Sequence, residues 1–183
     1  MSEKILIITG DGGETLEVLY PYERLREAGY TPVIAAQSTD RKIQLVVHDF
    51  ADDFDTYTEK LAHMWPADVA IDDVDPAEYA GLIIPGGRAP EYLRLNENVL
   101  NIVRAFFDAD KPVAATCHGP LILARAGVLD GRECAAFGMC EPDVTDAGAT
   151  YVDAADVTSG NLVTARAWND NGPWMGAFLK LLG

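Results

Sequence analysis

The chain predicts an α/β fold, a flavodoxin-like doubly wound sandwich with a mostly parallel central sheet, and three observations carry that prediction. The runs Lys4 to Thr9, Gly81 to Pro85 and Val113 to Thr116 are apolar without polar alternation, as strands buried on both faces are. Each ends in a glycine-rich turn or a reactive residue pair and gives way to a stretch of helical character, the alternation expected of parallel strands covered by helices. At 183 residues the chain fits one domain, 1–183, with room for a substantial core.

Taken in order, Lys4 to Thr9 runs into Gly10-Asp11-Gly12-Gly13, a central strand and its turn. A helix from Glu14 to Ala28 follows, with Leu16, Leu19 and Tyr20 expected on one face, Pro21 as a kink and Gly29 as the stop. Thr31 to Gln37 and Lys42 to Val47 are strands. From His48 to Pro66 the sequence is acidic, aromatic and without period, which predicts an inserted loop or lid at 48–66. Val69 to Ile71 is a short strand, Asp75-Pro76 opens a turn, and Gly81 to Pro85 ends in Gly86-Gly87. Asn96 caps a helix whose Val99, Ile102, Val103, Phe106 and Phe107 share a face. Beyond Val113 to Thr116, the all-apolar Leu121 to Ala126 predicts a buried helix that Gly127 ends. Cys134 to Phe137, Thr150 to Asp153 and Leu162 to Ala165 are further short strands, with a helical turn at Pro142 to Ala147. A closing helix turns Trp174, Phe178, Leu181 and Leu182 inward.

Composition narrows the function. Lysine and arginine number 14 against 29 acidic residues, and the net charge of −15 opposes nucleic acid and anionic membranes while leaving small neutral substrates compatible. No apolar run reaches membrane-spanning length, and Met1-Ser2-Glu3-Lys4 leads into a strand without a secretory signal. Three cysteines make no disulfide framework, so a cytoplasmic location is expected.

The reactive stretch is Lys111 to Pro120, which reads as a nucleophile elbow. Gly119 permits a tight turn and Pro120 suits a first helical position, so Cys117 falls at a strand-to-helix corner where the helix dipole and nearby N–H groups favour a thiolate. In a doubly wound sheet the turns carrying Glu14, Gly86-Gly87 and Cys117-His118 converge at one edge. They assemble a carboxyl group, backbone donors, and a thiol beside an imidazole, the parts of a covalent enzyme. Glu14 has two readings on spacing alone: an acidic residue favoured by the dipole in a first helical turn, or a desolvated carboxyl that holds a proton against Cys117.

Other chemistries fit less well. The Gly10 to Gly13 turn lacks the third glycine of a dinucleotide fingerprint, and Glu14 would repel a phosphate. Ser2, Ser38 and Ser159 are the only serines and none lies in an elbow. His48, Asp49, Asp52, Asp53, Asp55, Glu59 and His63 show no recognised ligand spacing and read as a solvated acidic loop, so no metal and no cofactor is expected. Cys134, Cys140, Trp65, Trp168 and Trp174 read first as packing residues.

The chain resembles the ThiJ/PfpI superfamily over nearly its whole length. The residues that carry the resemblance are Glu14 with Leu19-Tyr20-Pro21-Tyr22, Ile84 to Tyr92, Ala115 to Pro120, and Gly160 to Thr164. It implies that Cys117 is the nucleophile in a strained backbone conformation and Glu14 its carboxyl partner. Gly87 and His118 would give an oxyanion hole, and His118 would act as acid or base, oriented by Glu91 of a neighbouring copy in a dimer or hexamer. The 49–65 insertion with Thr56-Tyr57-Thr58-Glu59-Lys60 is most similar to plant glyoxalase III domains. Phe137-Gly138-Met139-Cys140 departs from the usual tyrosine-proline, and Trp168 to Asn171 lacks a histidine often found there. The resemblance thus implies a glutathione-independent glyoxalase or deglycase acting on a small dicarbonyl such as methylglyoxal. Two alternatives stand beside it: a PfpI-like cysteine peptidase or amidase, and a non-catalytic oxidative-stress sensor or holdase whose exposed thiol oxidises.

Overall fold

Ile5 and Ile7 point to one side of β1 (Lys4–Ile8) and Leu6 and Ile8 to the other, and all four are buried, because β1 lies inside a sheet covered on both faces. In the computed structural model, which describes residues 2–183, the chain continues through α1 (Thr15–Glu27), β2 (Thr31–Ala36), β3 (Ile43–Phe50), β4 (Tyr57–Trp65), β5 (Val69–Ala70) and β6 (Tyr79–Ile84). Then come α2 (Ala89–Leu93), α3 (Glu97–Asp108), β7 (Val113–Thr116), α4 (Pro120–Ala126), β8 (Glu133–Cys134) and α5 (Glu141–Asp146). The chain ends with β9 (Thr150–Tyr151), β10 (Val157–Ser159), β11 (Leu162–Ala165) and α6 (Asn171–Leu182).

The main sheet has seven strands in the order β10-β11-β7-β6-β1-β2-β5, parallel throughout except for β10 against β11. Helices α1 and α6 cover one face, packing Val18, Leu25, Trp174 and Phe178 on Ile5 and Ile7. On the other face α3 and α4 set Val103, Phe106 and Ile122 against Leu6 and Ile8. This is the flavodoxin-like architecture that the alternation of elements predicts. Among the described residues, no helix is long and apolar enough to cross a membrane.

Three expectations are corrected. The buried stripe of α1 is Glu17, Val18, Pro21 and Leu25, while Leu16 and Tyr20 are exposed. Proline at position 21 sits on the inward side, and the face picked out by leucine and tyrosine spacing is the outward one. The second correction concerns 48–66, which is no irregular loop: β3 continues to Phe50 and pairs antiparallel with β4 as a separate two-stranded sheet. Much of β4 faces solvent, so Thr58, Glu59 and Lys60 sit beside exposed Leu61 and Met64 and the two-residue period is lost. Finally, the strand expected over Cys134 to Phe137 stops at Cys134. Phe137 leaves the ladder, and its N–H donates to the Cys117 carbonyl at 3.0 Å.

Candidate active site

Parallel neighbours β1, β6 and β7 deliver their following turns to one edge of the sheet. The turns are stitched together by backbone: Gly13 bridges Gly87, Arg88 N–H donates to Gly12 O at 2.7 Å, and Glu14 N–H to Gly86 O at 3.3 Å. Gly87 has φ 72°, and a Cβ there would run into Gly12, Gly13 and Glu14, so the close approach requires glycine. A Cβ on Gly86 would come within 2.5 Å of Cys117 Cβ and 2.7 Å of Glu17 Oε2, which places the thiol and a carboxyl on the same glycine.

Cys117 follows β7 with φ 57°, a left-handed conformation that costs a residue with a side chain about 1–2 kcal/mol. Its backbone is held on both sides, donating to Ala165 O at 3.2 Å and accepting from Phe137 N. Only 5% of the residue is exposed. Burial pushes the thiol well above its usual range and the charge of Glu17 adds to the push, while the N–H groups of Gly87 and His118 pull it down. Removal from water thus works against what the turn's amides and the helix dipole favour at this sulfur. His118 Nδ1 lies 3.2 Å from the sulfur. Burial first, then His48, lowers the imidazole to about 4, so it is neutral at pH 7 and able to accept the thiol proton.

The carboxyl beside Cys117 belongs to Glu17, which is fully buried. Its Oε2 accepts from Gly86 N–H at 2.8 Å, while Oε1 has no fixed partner among the described residues. The Cys117 thiol lies within hydrogen-bonding reach of this carboxyl. Burial, and secondarily the charge of Glu14, raises the carboxyl to about 8, so it carries a proton at neutral pH. Glu14 does something else: it is the N-cap of α1, taking the Glu17 N–H at 2.9 Å. Its place as the sulfur's partner is thus corrected. The sequence signal that finds Glu17 is its register with Val18, Pro21 and Leu25, a carboxyl on the buried stripe. Replacing Glu14 by alanine is expected to lower stability by about 1–2 kcal/mol in urea unfolding, the loss of a cap. It should also let Glu17 ionise at lower pH, visible in the infrared carboxyl stretch.

The β3–β4 hairpin closes the site from above. Tyr57 sits edge-on to His118 with ring centroids 5.7 Å apart, and His118 stacks on Phe137 at 5.3 Å. Phe50 stacks between Phe137 and Trp168 at 6.1 and 6.2 Å. Glu91 lies exposed on α2, and within its own chain the His118 ring has the Cys117 sulfur as its side-chain polar partner. Among the described residues no group of three His, Cys, Asp or Glu is placed to hold a metal ion. The arrangement suits addition of sulfur to a small, electrophilic carbonyl carbon: a thiol, an imidazole to take its proton, amides for the oxyanion and a protonated carboxyl.

The sequence profile of the DJ-1/PfpI family matches residues 3–181. Over 179 residues the chain is 40% identical to a deglycase of Thermococcus kodakarensis, covering 98% of this chain and 99% of that one. It is also 40% identical over 188 residues to protein DJ-1 homolog D of Arabidopsis thaliana, covering 100% of this chain but 48% of that protein, about half its length. Drosophila melanogaster DJ-1beta has the same fold, with a TM-score of 0.82 at 22% identity across 100% of this chain and 92% of that one. Whole-length agreement in sequence and fold, around a buried cysteine in a left-handed turn, makes this chain a member of the DJ-1/PfpI family.

Proposed function

We propose that the protein is a deglycase-type cysteine enzyme that converts small α-oxoaldehydes such as methylglyoxal to 2-hydroxy acids without glutathione. The observation that carries this reading is one buried thiol in a left-handed turn, with the His118 imidazole 3.2 Å away and the buried Glu17 carboxyl beside it across Gly86. In this scheme the Cys117 sulfur adds to the aldehyde carbon, its proton passes to His118 Nδ1, and the Gly87 and His118 amides hold the oxyanion. That oxygen then takes the proton back from His118, leaving a hemithioacetal. His118 next removes the hydrogen on the former aldehyde carbon while Glu17 protonates the neighbouring carbonyl oxygen, which gives an enediol. Return of these protons, from His118 to the neighbouring carbon and from the hydroxyl to Glu17, yields a thioester of the hydroxy acid, and water releases it. The isomerisation is internally redox-balanced. Narrow aromatic cover over a 5%-exposed cysteine favours such a substrate over an extended peptide.

The same reading gives Glu91 a role between copies of the chain: exposed on α2, it would meet His118 of a neighbour in a self-associated form. The test of the function is purified protein with methylglyoxal and no thiol additive, following dicarbonyl loss and lactate appearance. Stoichiometric lactate that disappears when Cys117 is alkylated supports the reading. Dicarbonyl loss without lactate, or lactate formation that survives alkylation, overturns it.

A further inference from the structure

The hairpin above Cys117 is attached to the active site at two levels. Along β3 the attachment is backbone: Gly12 N–H donates to Gln44 O and Val46 N–H to Gly13 O, both at 2.9 Å. Along β4 it is side chain. Antiparallel register sets Phe50 opposite Tyr57 and His48 opposite Glu59, which puts all four on one face of the hairpin, the face turned to the site. Glu59 accepts from His48 Nε2 at 2.9 Å and takes both Arg88 Nε and a terminal Arg88 nitrogen, at 2.6 and 2.8 Å, a two-pronged grip. Arg88 is the residue after Gly87, whose amide faces the Cys117 sulfur. The hairpin is thereby tied to the backbone segment that carries one of the two oxyanion donors.

Within that frame the Tyr57 ring is fixed on three sides, 4.1 Å from the His48 ring, 5.7 Å from His118 and 5.7 Å from Phe137, centroid to centroid. The polar grip of the hairpin runs through His48 and Glu59, so the Tyr57 hydroxyl is not spent on it. An α-oxoaldehyde has two oxygens to satisfy. The Gly87 and His118 amides serve the one on the attacked carbon; Glu17 meets one lone pair of the other, and on the hairpin side Phe50 and Phe137 offer no donor for its second lone pair.

We propose that Tyr57 is a substrate-contacting, specificity-determining residue, whose hydroxyl donates a hydrogen bond to the carbonyl oxygen adjacent to the carbon that Cys117 attacks, and that His48, Glu59 and Arg88 are positioning residues that hold it there. The inference rests on the α-oxoaldehyde reading given above. The bond uses the second lone pair of the oxygen that Glu17 protonates and polarises that carbonyl toward the enediol. Burial raises the phenol to about 12, so Tyr57 keeps its proton as a donor across the working pH range.

Tyr57→Phe preserves the ring and removes only the hydroxyl. With methylglyoxal its kcat/KM is expected to fall about 10-fold, the worth of one good hydrogen bond. A kcat/KM within twofold of wild type overturns the role of Tyr57 while leaving the enzymatic reading intact. Glu59→Gln is expected to lower kcat severalfold with little change in KM, and the double variant should be no worse than Tyr57→Phe alone. Additive losses would assign Glu59 a general structural role and overturn the positioning claim.

Should wild-type protein form no lactate, the enzymatic reading fails and labelling of Cys117 decides about Tyr57. Iodoacetamide carries a carbonyl next to the attacked carbon, and methyl methanethiosulfonate carries none. Tyr57→Phe is then expected to slow the first reagent and not the second; the same effect on both overturns the proposal.

Discussion

Cys117→Ala is expected to lower lactate formation from methylglyoxal by about 10³-fold or more, because the reaction loses its covalent intermediate and the remaining groups have nothing to act on. Neither Cys134 nor Cys140 is placed to substitute, since the His118 imidazole and the Gly87 and His118 amides gather on Cys117, and the Cys134 thiol donates to Ala135 O. A residual rate within tenfold of wild type would place the chemistry elsewhere. Stability separates two replacements that are equally inactive. Alanine keeps a Cβ in the φ 57° conformation, whereas glycine releases that strain. Cys117→Gly is therefore expected to unfold at higher urea than Cys117→Ala, by about 1 kcal/mol.

A second large effect is expected at Glu17, and here activity and stability move in opposite directions. Gln replaces a protonated carboxyl with a group of the same shape that can still accept from Gly86 N–H yet cannot transfer a proton. Turnover should fall by about 10²–10⁴-fold. The wild-type rate needs neutral His118 and protonated Glu17 together. The pH profile of kcat/KM is thus expected to be bell-shaped, with limbs near 4 and 8, and Glu17→Gln should lose the alkaline limb. Stability follows from the same raised carboxyl. The folded protein holds this proton up to about 8 while the unfolded chain releases it near the ordinary glutamate value, so between those two pH values the folded state binds more protons. The Glu17 contribution is most favourable at acid pH and declines as pH rises toward 8. Its removal in Glu17→Gln should stabilise the protein at pH 8 by a few kcal/mol, on the order given by a shift of this size. A variant equally active, or one whose unfolding keeps the wild-type pH dependence over that window, contradicts the assignment.

The sheet was legible because its strands are buried on both sides and their residues say so without alternation: Ile5 to Ile8, Leu82 to Ile84 and Val113 to Thr116. Cys117 was legible for a related reason, since Gly119 and Pro120 announce the turn that exposes a strand end to chemistry. What misled was the first helix. Leu16 and Tyr20 have the spacing of a buried face, but that surface is open, and the inward stripe instead carries a glutamate and a proline. A carboxyl in a core stripe contradicts the usual cost of burial, so periodicity read by hydrophobicity alone steps over Glu17 and stops at the capping residue Glu14. The hairpin escaped for a different reason: β4 lies largely open to water and lacks the contrast between faces that makes a strand readable. Its contacts are aromatic and ionic pairs between residues far apart in sequence, such as Glu59 with Arg88, which no local pattern contains.

The hairpin's two ends of attachment also divide labour in the molecule. In the proposed mechanism the nucleophile, the acid and the oxyanion donors stand on α1 and in the turns after β6 and β7, while the wall over them is a ribbon whose exposed turn, residues 51–56, lies outside the main sheet. Doubling the length of such a connection costs only about 0.6 kcal/mol in closure entropy. The ribbon reaches the chemistry through Tyr57 and the Glu59–Arg88 pair, and its turn is otherwise open to change. Grafting a ribbon of different turn length that keeps the Gln44 and Val46 anchor points and the Glu59–Arg88 pair would recut the entrance for a different carbonyl compound.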